Sequence, residues 1–182
     1  MGINADTTDL ELAVLVSQTL EKAGITATLV GGAAVSIHSD NEYKSLDLDF
    51  VTAAMRDSLV AALAPLGFEL SQDKRHFDHP NTNYYVEFPP SPLEFGNRTV
   101  QHEEIPRLET VWGPLRVITP TLCVMDRLAA FWHWNDRQSW DQAVMVVRHS
   151  EIDFDDLVAY THEEGANPTD IERLKKAAQA SN

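Results

Sequence analysis

Apolar residues recur along the first two-thirds of the chain with alternating and helical spacing by turns, and after Thr119 with helical spacing only. Thr8-Asp9-Leu10-Glu11 has the form of a capping box, and Leu12, Leu15, Val16 and Leu20 then fall on one helical face until Gly24 stops the run. Residues 25–30 are apolar and partly β-branched, short enough for a buried strand that breaks at Gly31-Gly32. A short helix is expected over 33–38, then a polar loop over 39–44. Over 46–51 the alternation is strict, sending Leu46, Leu48 and Phe50 to one side and Asp47, Asp49 and Val51 to the other.

The spacing of Met55, Leu59 and Leu63 predicts a helix over 53–66, and residues 67–70, 77–79 and 83–88 read as further strands. Pro89-Pro90-Ser91-Pro92 ends that series, because proline cannot donate to a sheet ladder. Residues 110–118 suggest a hairpin turning at Trp112-Gly113-Pro114. Thr119 then reads as a cap with Pro120 at the first helical position, followed by a stripe of Leu122, Met125, Leu128 and Trp132. Three more helices are expected over 139–148, 154–164 and 168–180. The prediction is an α/β (α+β) protein: a core over 1–118 with a mixed sheet flanked by helices, and a C-terminal helical region over 119–182 packed on it.

Composition adds limits. The 182 residues are 43% hydrophobic and 23% charged, ordinary for a folded chain. No apolar run nears the ~20 residues that cross a bilayer, and Met1 to Asp6 lacks the basic flank and apolar stretch of a signal peptide. With one cysteine, Cys123, no internal disulfide can form, and a cytoplasmic location is expected. The net charge of −14 and pI near 4.7 disfavour a long nucleic-acid partner and leave a nucleotide, a small molecule or a protein open.

The chemistry concentrates in two places. Carboxylates two apart on a strand share a face, and burying them together is costly unless a hard divalent cation resolves the repulsion. A strand, a diglycine and a helix in succession present free amides at a helix amino terminus, where phosphate binds. Here the strand ends in Gly31-Gly32, fourteen residues intervene, and Asp47-Leu48-Asp49 follows. His76 and His79 lack a third ligand at matching spacing and read as surface or turn residues, and the Trp132, Trp134 and Trp140 cluster reads as packing between tail helices.

Leu29-Val30-Gly31-Gly32 followed by Ser45-Leu46-Asp47-Leu48-Asp49-Phe50 resembles the signature of the DNA polymerase beta-like nucleotidyltransferase superfamily. That resemblance implies a nucleotidyltransferase-like fold in which Asp47 and Asp49 hold a pair of Mg²⁺ ions. Glu87, in Tyr84-Tyr85-Val86-Glu87-Phe88, is the matching third carboxylate and the acceptor-side catalytic group. Gly31, Gly32, Ser45, Lys44 and Arg127 would contact the nucleotide triphosphate. The tail, with Thr119-Pro120, Asp126 to Ala130, Arg137 and Asp141, is similar to the abortive-infection (AbiEii-like) toxin branch, which implies a toxin-type enzyme with a protein antitoxin. Gly32 stands where many members carry serine, and Arg127 where a lysine is expected. An arginine expected before the aspartates is absent, with Lys44 the nearest cation. The functional expectation is transfer of a nucleoside monophosphate from a nucleotide triphosphate to a hydroxyl of a small-molecule or protein acceptor, the alternative being an inactive module that uses the fold for binding or regulation.

Overall fold

The computed structural model describes residues 2–180; Met1, Ser181 and Asn182, at the ends of the two expected regions, lie outside the described residues. A five-stranded sheet in the order β1-β2-β5-β4-β3 forms the centre, from β1 (Thr28–Val30), β2 (Asp47–Val51), β3 (Glu69–Leu70), β4 (His76–Asp78) and β5 (Tyr85–Glu87). Only β2 and β5 run parallel; the other neighbours are antiparallel. Helices α1 (Asp9–Lys22), α2 (Gly31–His38) and α3 (Arg56–Leu63) belong to this half, with α1 packed on β1 and α3, and α2 on β2.

Two hairpins join the sheet to the tail. One pairs β6 (Glu94–Phe95) with β7 (Arg98–Thr99), and the other β8 (Arg107–Thr110) with β9 (Gly113–Arg116). Past β9, Val117 bridges Leu29, and the Ile118 amide donates to the Leu29 carbonyl at 3.0 Å, so the chain enters the tail along the outer edge of β1. The tail helices are α4 (Pro120–Trp134), α5 (Arg137–His149), α6 (Phe154–Glu163) and α7 (Thr169–Gln179). Helices α4 and α5 pack on each other and both touch α2, so the tail lies against the core over the diglycine helix.

Local chemistry sets the ends of these helices. Thr8 accepts the Glu11 amide at 3.2 Å, and Thr119 caps α4 through the Leu122 amide with Pro120 in the first turn. Asp136 caps α5 by accepting the amides of Gln138 and Ser139, which moves its start two residues before the expected Ser139.

Several expectations need correction. Leu46 is 57% exposed because β2 begins only at Asp47, so the inward apolar row is Leu48 and Phe50 alone. Met55 is 76% exposed as the residue before the first turn of α3, which starts at Arg56; Leu59 and Leu63 carry the buried face. The hairpin expected over 110–118 sits earlier, with its strands over 107–110 and 113–116 and Val111-Trp112 at the turn, and the β6–β7 hairpin follows the proline tract that was expected to end the strands. His79 is buried, 3.1 Å from the Leu66 carbonyl through Nε2 and with its ring on Phe68. Trp132 and Trp140 pack on Tyr160 and Phe131, but Trp134, in the last turn of α4, is 82% exposed.

Leu48 is fully buried in the central strand that carries the acidic pair. Leu48→Ala is expected to destabilise the fold by about 2–5 kcal/mol, the usual cost of a cavity at a fully packed leucine. Urea unfolding at constant m-value checks it.

Candidate active site

Cross-strand register aligns one row of residues across four strands. Val30 opposes Asp49, Asp49 opposes Glu87, and Glu87 opposes His76. One step along, Asp47 opposes Tyr85. Directly opposed residues project to the same face, so Asp47, Asp49, Tyr85, Glu87 and His76 share one side, while Leu48, Val86 and Phe77 fill the apolar core on the other.

At the end of this row the chain bends through Gly31-Gly32 into α2. Val30, the residue that caps α2, makes no side-chain capping bond, which leaves the first amides of the helix to a ligand or solvent. Each glycine also makes room for a site side chain. A Cβ on Gly31, whose φ is +64°, would lie 2.5 Å from Asp49 Oδ2, and one on Gly32 would lie 2.6 Å from Ser45 Oγ. Ser45 Oγ donates a short hydrogen bond to Asp47 Oδ1, and its amide donates to Ser36 Oγ at 3.2 Å. The diglycine, both aspartates and Ser45 therefore form one packed unit.

Charge crowding dominates the electrostatics. Burial, then the carboxylates of Asp47 and Glu87, push Asp49 up to about 7, against a weaker opposing pull from Arg127. Tyr85 is raised by burial and then by Asp47, Glu87 and Asp49, whose charges disfavour the phenolate.

Arg127, on α4, is the cation that Asp49 feels. Its Nη2 donates to Asp126 Oδ2 at 2.5 Å and its Nη1 to Gln142 Oε1 on α5 at 3.1 Å, while its buried Nε has no partner among the described residues. Lys44, by contrast, is exposed and forms no ion pair among the described residues. Its loop is tied down by its neighbour Glu42, which pairs with Arg148 and with His149 at 2.9 Å, both at the end of α5. Arg137 and Asp141 line a separate cleft with Phe131, Trp140 and Arg173, and so do not join the carboxylate face.

The residues fit magnesium. Their donor set is three carboxylates, all hard oxygen, and a proton held by Asp49 up to near neutrality is how a crowded acidic pocket behaves without a counter-cation. Among the described residues no three His, Cys, Asp or Glu side chains close a metal cage by themselves.

The structure adds Asp126, Gln142, Tyr85 and His76 to the site's surroundings. Tyr85 was accessible from the same two-residue period that marks Glu87, whereas His76 depends on the β4–β5 register and Gln142 on helix packing, neither of which local sequence carries.

No protein-family model and no curated protein sequence matches the chain. Solved structures do. An antigenic nucleotidyltransferase-like protein from Paracoccidioides brasiliensis is similar at a TM-score of 0.56 and 18% identity, over 79% of this chain and 76% of that one. The lincosamide antibiotic adenylyltransferase LnuA, lincomycin-bound, is similar at 0.53 and 15% identity, over 81% of this chain and 100% of that one. The fold is nucleotidyltransferase-like.

Asp49 binds its proton more tightly folded than unfolded, so without a cation the folded state loses stability as pH rises from about 4 to about 7, and the loss is complete above that. Asp49→Asn removes the loss. In chelator, its melting temperature is expected to match the parent's near pH 4 and to exceed it at pH 8 by the equivalent of a few kcal/mol, at ~1.4 kcal/mol per tenfold change in proton affinity. Thermal scans across that range check it.

Proposed function

We propose that this protein is a magnesium-dependent nucleotidyltransferase that moves a nucleoside monophosphate from a nucleotide triphosphate to a hydroxyl of a small acceptor, with release of pyrophosphate. The observation that carries the proposal is the row Val30, Asp49, Glu87 with the diglycine bend packed directly on Asp49. It sets a phosphate-binding helix start and a divalent-ion acid cluster side by side, the two components that phosphoryl transfer requires.

Each residue then has a defined task. Asp47 and Asp49 are the metal ligands, and Glu87 completes the set on the side away from the diglycine. Magnesium held by these carboxylates would neutralise charge on the polyphosphate and stabilise the charge that develops on the reacting oxygens. The amides of Gly31 and Gly32 hold phosphate oxygens, and Ser45 orients Asp47 through its hydroxyl. Arg127 balances the acid row with a guanidinium fixed by Asp126 at Nη2 and by Gln142 at Nη1, and its charge would favour an arriving polyphosphate. Glu87 accepts the acceptor's proton.

A small acceptor agrees with the charge of −14, which repels a nucleic-acid backbone, and with the lincomycin bound by one of the similar structures. Among the described residues no helix is long and apolar enough to cross a membrane. The finer reading, a toxin-type member of the abortive-infection branch held by a small protein antitoxin, would be supported by stoichiometric co-purification of one small partner.

Calorimetric titration with a non-hydrolysable nucleotide triphosphate and Mg²⁺ is expected to show saturable binding to the parent chain. Pyrophosphate release in the presence of a cognate acceptor is expected to fall at least 10³-fold in Asp47→Ala or Asp49→Ala, since catalysis of this kind is mostly electrostatic positioning. Full turnover by Asp47→Ala would sink the assignment, and a parent chain that binds neither ion nor nucleotide would be an inactive module.

A further inference from the structure

The register row has two ends. At one, the diglycine bend offers amides for the leaving polyphosphate; at the other stands His76, next to Glu87 across the β4–β5 pairing. In-line displacement requires the attacking oxygen to approach opposite the leaving group. The acceptor must therefore arrive from the β5–β4 side of the acids, over the residues that project there.

Two rings occupy that place. Tyr85 and His76 lie with ring centroids 5.1 Å apart, tilted by 55°. Tyr85 stands opposite Asp47 on the acid face, and His76 is 28% exposed. Both ring nitrogens of His76 meet carboxylates: Nε2 lies 3.2 Å from Asp78 Oδ1 and Nδ1 3.9 Å from Asp73 Oδ1. The apolar core of these strands is made by Phe77 and Val86 on the opposite face, so the ring pair lies outside it.

We infer that Tyr85 and His76 form the acceptor platform, and that the acceptor is a hydroxylated ring compound of sugar type. The C–H face of such a ring rests on the aromatic pair while its hydroxyls reach the Tyr85 phenol and Glu87. This assignment rests on the nucleotidyltransferase reading above and goes further by choosing the surface and chemical class of the acceptor. In this role Tyr85 and His76 bind and position; the reacting groups are those of the acid row.

The test loads the full chain with Mg²⁺ and a non-hydrolysable nucleotide triphosphate, then titrates glucose and glucosamine trisaccharides while amide chemical shifts are followed. At least one trisaccharide is expected to shift residues 76, 78, 85 and 87 in a saturable way. His76→Ala/Tyr85→Ala is expected to weaken that binding at least tenfold while nucleotide affinity stays within twofold of the parent. Tyr85→Phe and His76→Gln, which keep the side-chain bulk, are expected to show smaller losses and guard against a misfolded double variant. Shifts centred elsewhere, unchanged affinity in the double variant, or no trisaccharide binding to a chain that binds nucleotide would each overturn the platform and leave the nucleotidyltransferase reading standing. A parent chain that binds no nucleotide would remove both.

Discussion

Like-charge crowding at Asp49 is the constraint on which the site depends. Its carboxyl lies between Asp47 and Glu87, over a glycine with no side chain to push it away. Ordinarily such carboxylates would separate. They cannot here, because the reverse faces of the same strands are locked by Leu48, Phe50, Phe77 and Val86, all buried in the core. Tight packing resists the backbone shift that would relieve the repulsion. The folded protein therefore holds a stored electrostatic cost that a proton offsets at low pH and a divalent cation is suited to offset at neutral pH.

The helical tail supplies the rest of the charge balance. Arg127 reaches the acids from α4, and Gln142 on α5 fixes one arm of its fork. Farther along α5, Arg148 and His149 hold Glu42, and Ser150 Oγ donates to the His38 carbonyl at 2.8 Å, so the same helix fastens both the end of α2 and the loop that delivers Ser45. A second anchor lies at the β6–β7 hairpin, where Arg98 pairs with Asp156 and Glu163 at 2.7 Å each and lies over the Tyr160 ring. These contacts make the tail a clamp on the diglycine side of the acid row.

Much of this was legible in the sequence wherever a local rule had no competitor. Strand β2 shows itself because one face is apolar and the other acidic, and α4 because threonine and proline mark its start. Leu46 and Met55 misled for one reason: each continues an apolar period past the point where the hydrogen-bonded element ends, so periodicity alone assigned them to the core. Trp134 misled differently: it stands beside Trp132 in sequence, but two positions on a helix turn it to the opposite, solvent face. The β6–β7 hairpin was hidden because Pro89, Pro90 and Pro92 precede it, and the position of the β8–β9 turn because Gly113-Pro114 resembles a turn while serving as the start of a strand. Cross-strand register is a property of pairs of strands, and so the placing of His76 beside Glu87 lay beyond any single segment.

The departures from the resembled signature become coherent in three dimensions. Gly32 lacks the hydroxyl expected there, yet the space its side chain would fill holds Ser45 Oγ, which is hydrogen-bonded to Asp47. A side chain at 32 would displace that oxygen, so the hydroxyl at the turn is supplied by the neighbouring loop instead. Arg127 follows the same logic. A lysine ammonium is a compact charge on a flexible stem, whereas the guanidinium is a planar fork with donors to spare. Held at Nη2 by Asp126 and at Nη1 by Gln142, it keeps one orientation and still lowers the proton affinity of Asp49. With Lys44 turned to solvent, that fixed cation is the one the acid row feels, and a rigid arginine has less ordering left to do on meeting an anion than a free lysine.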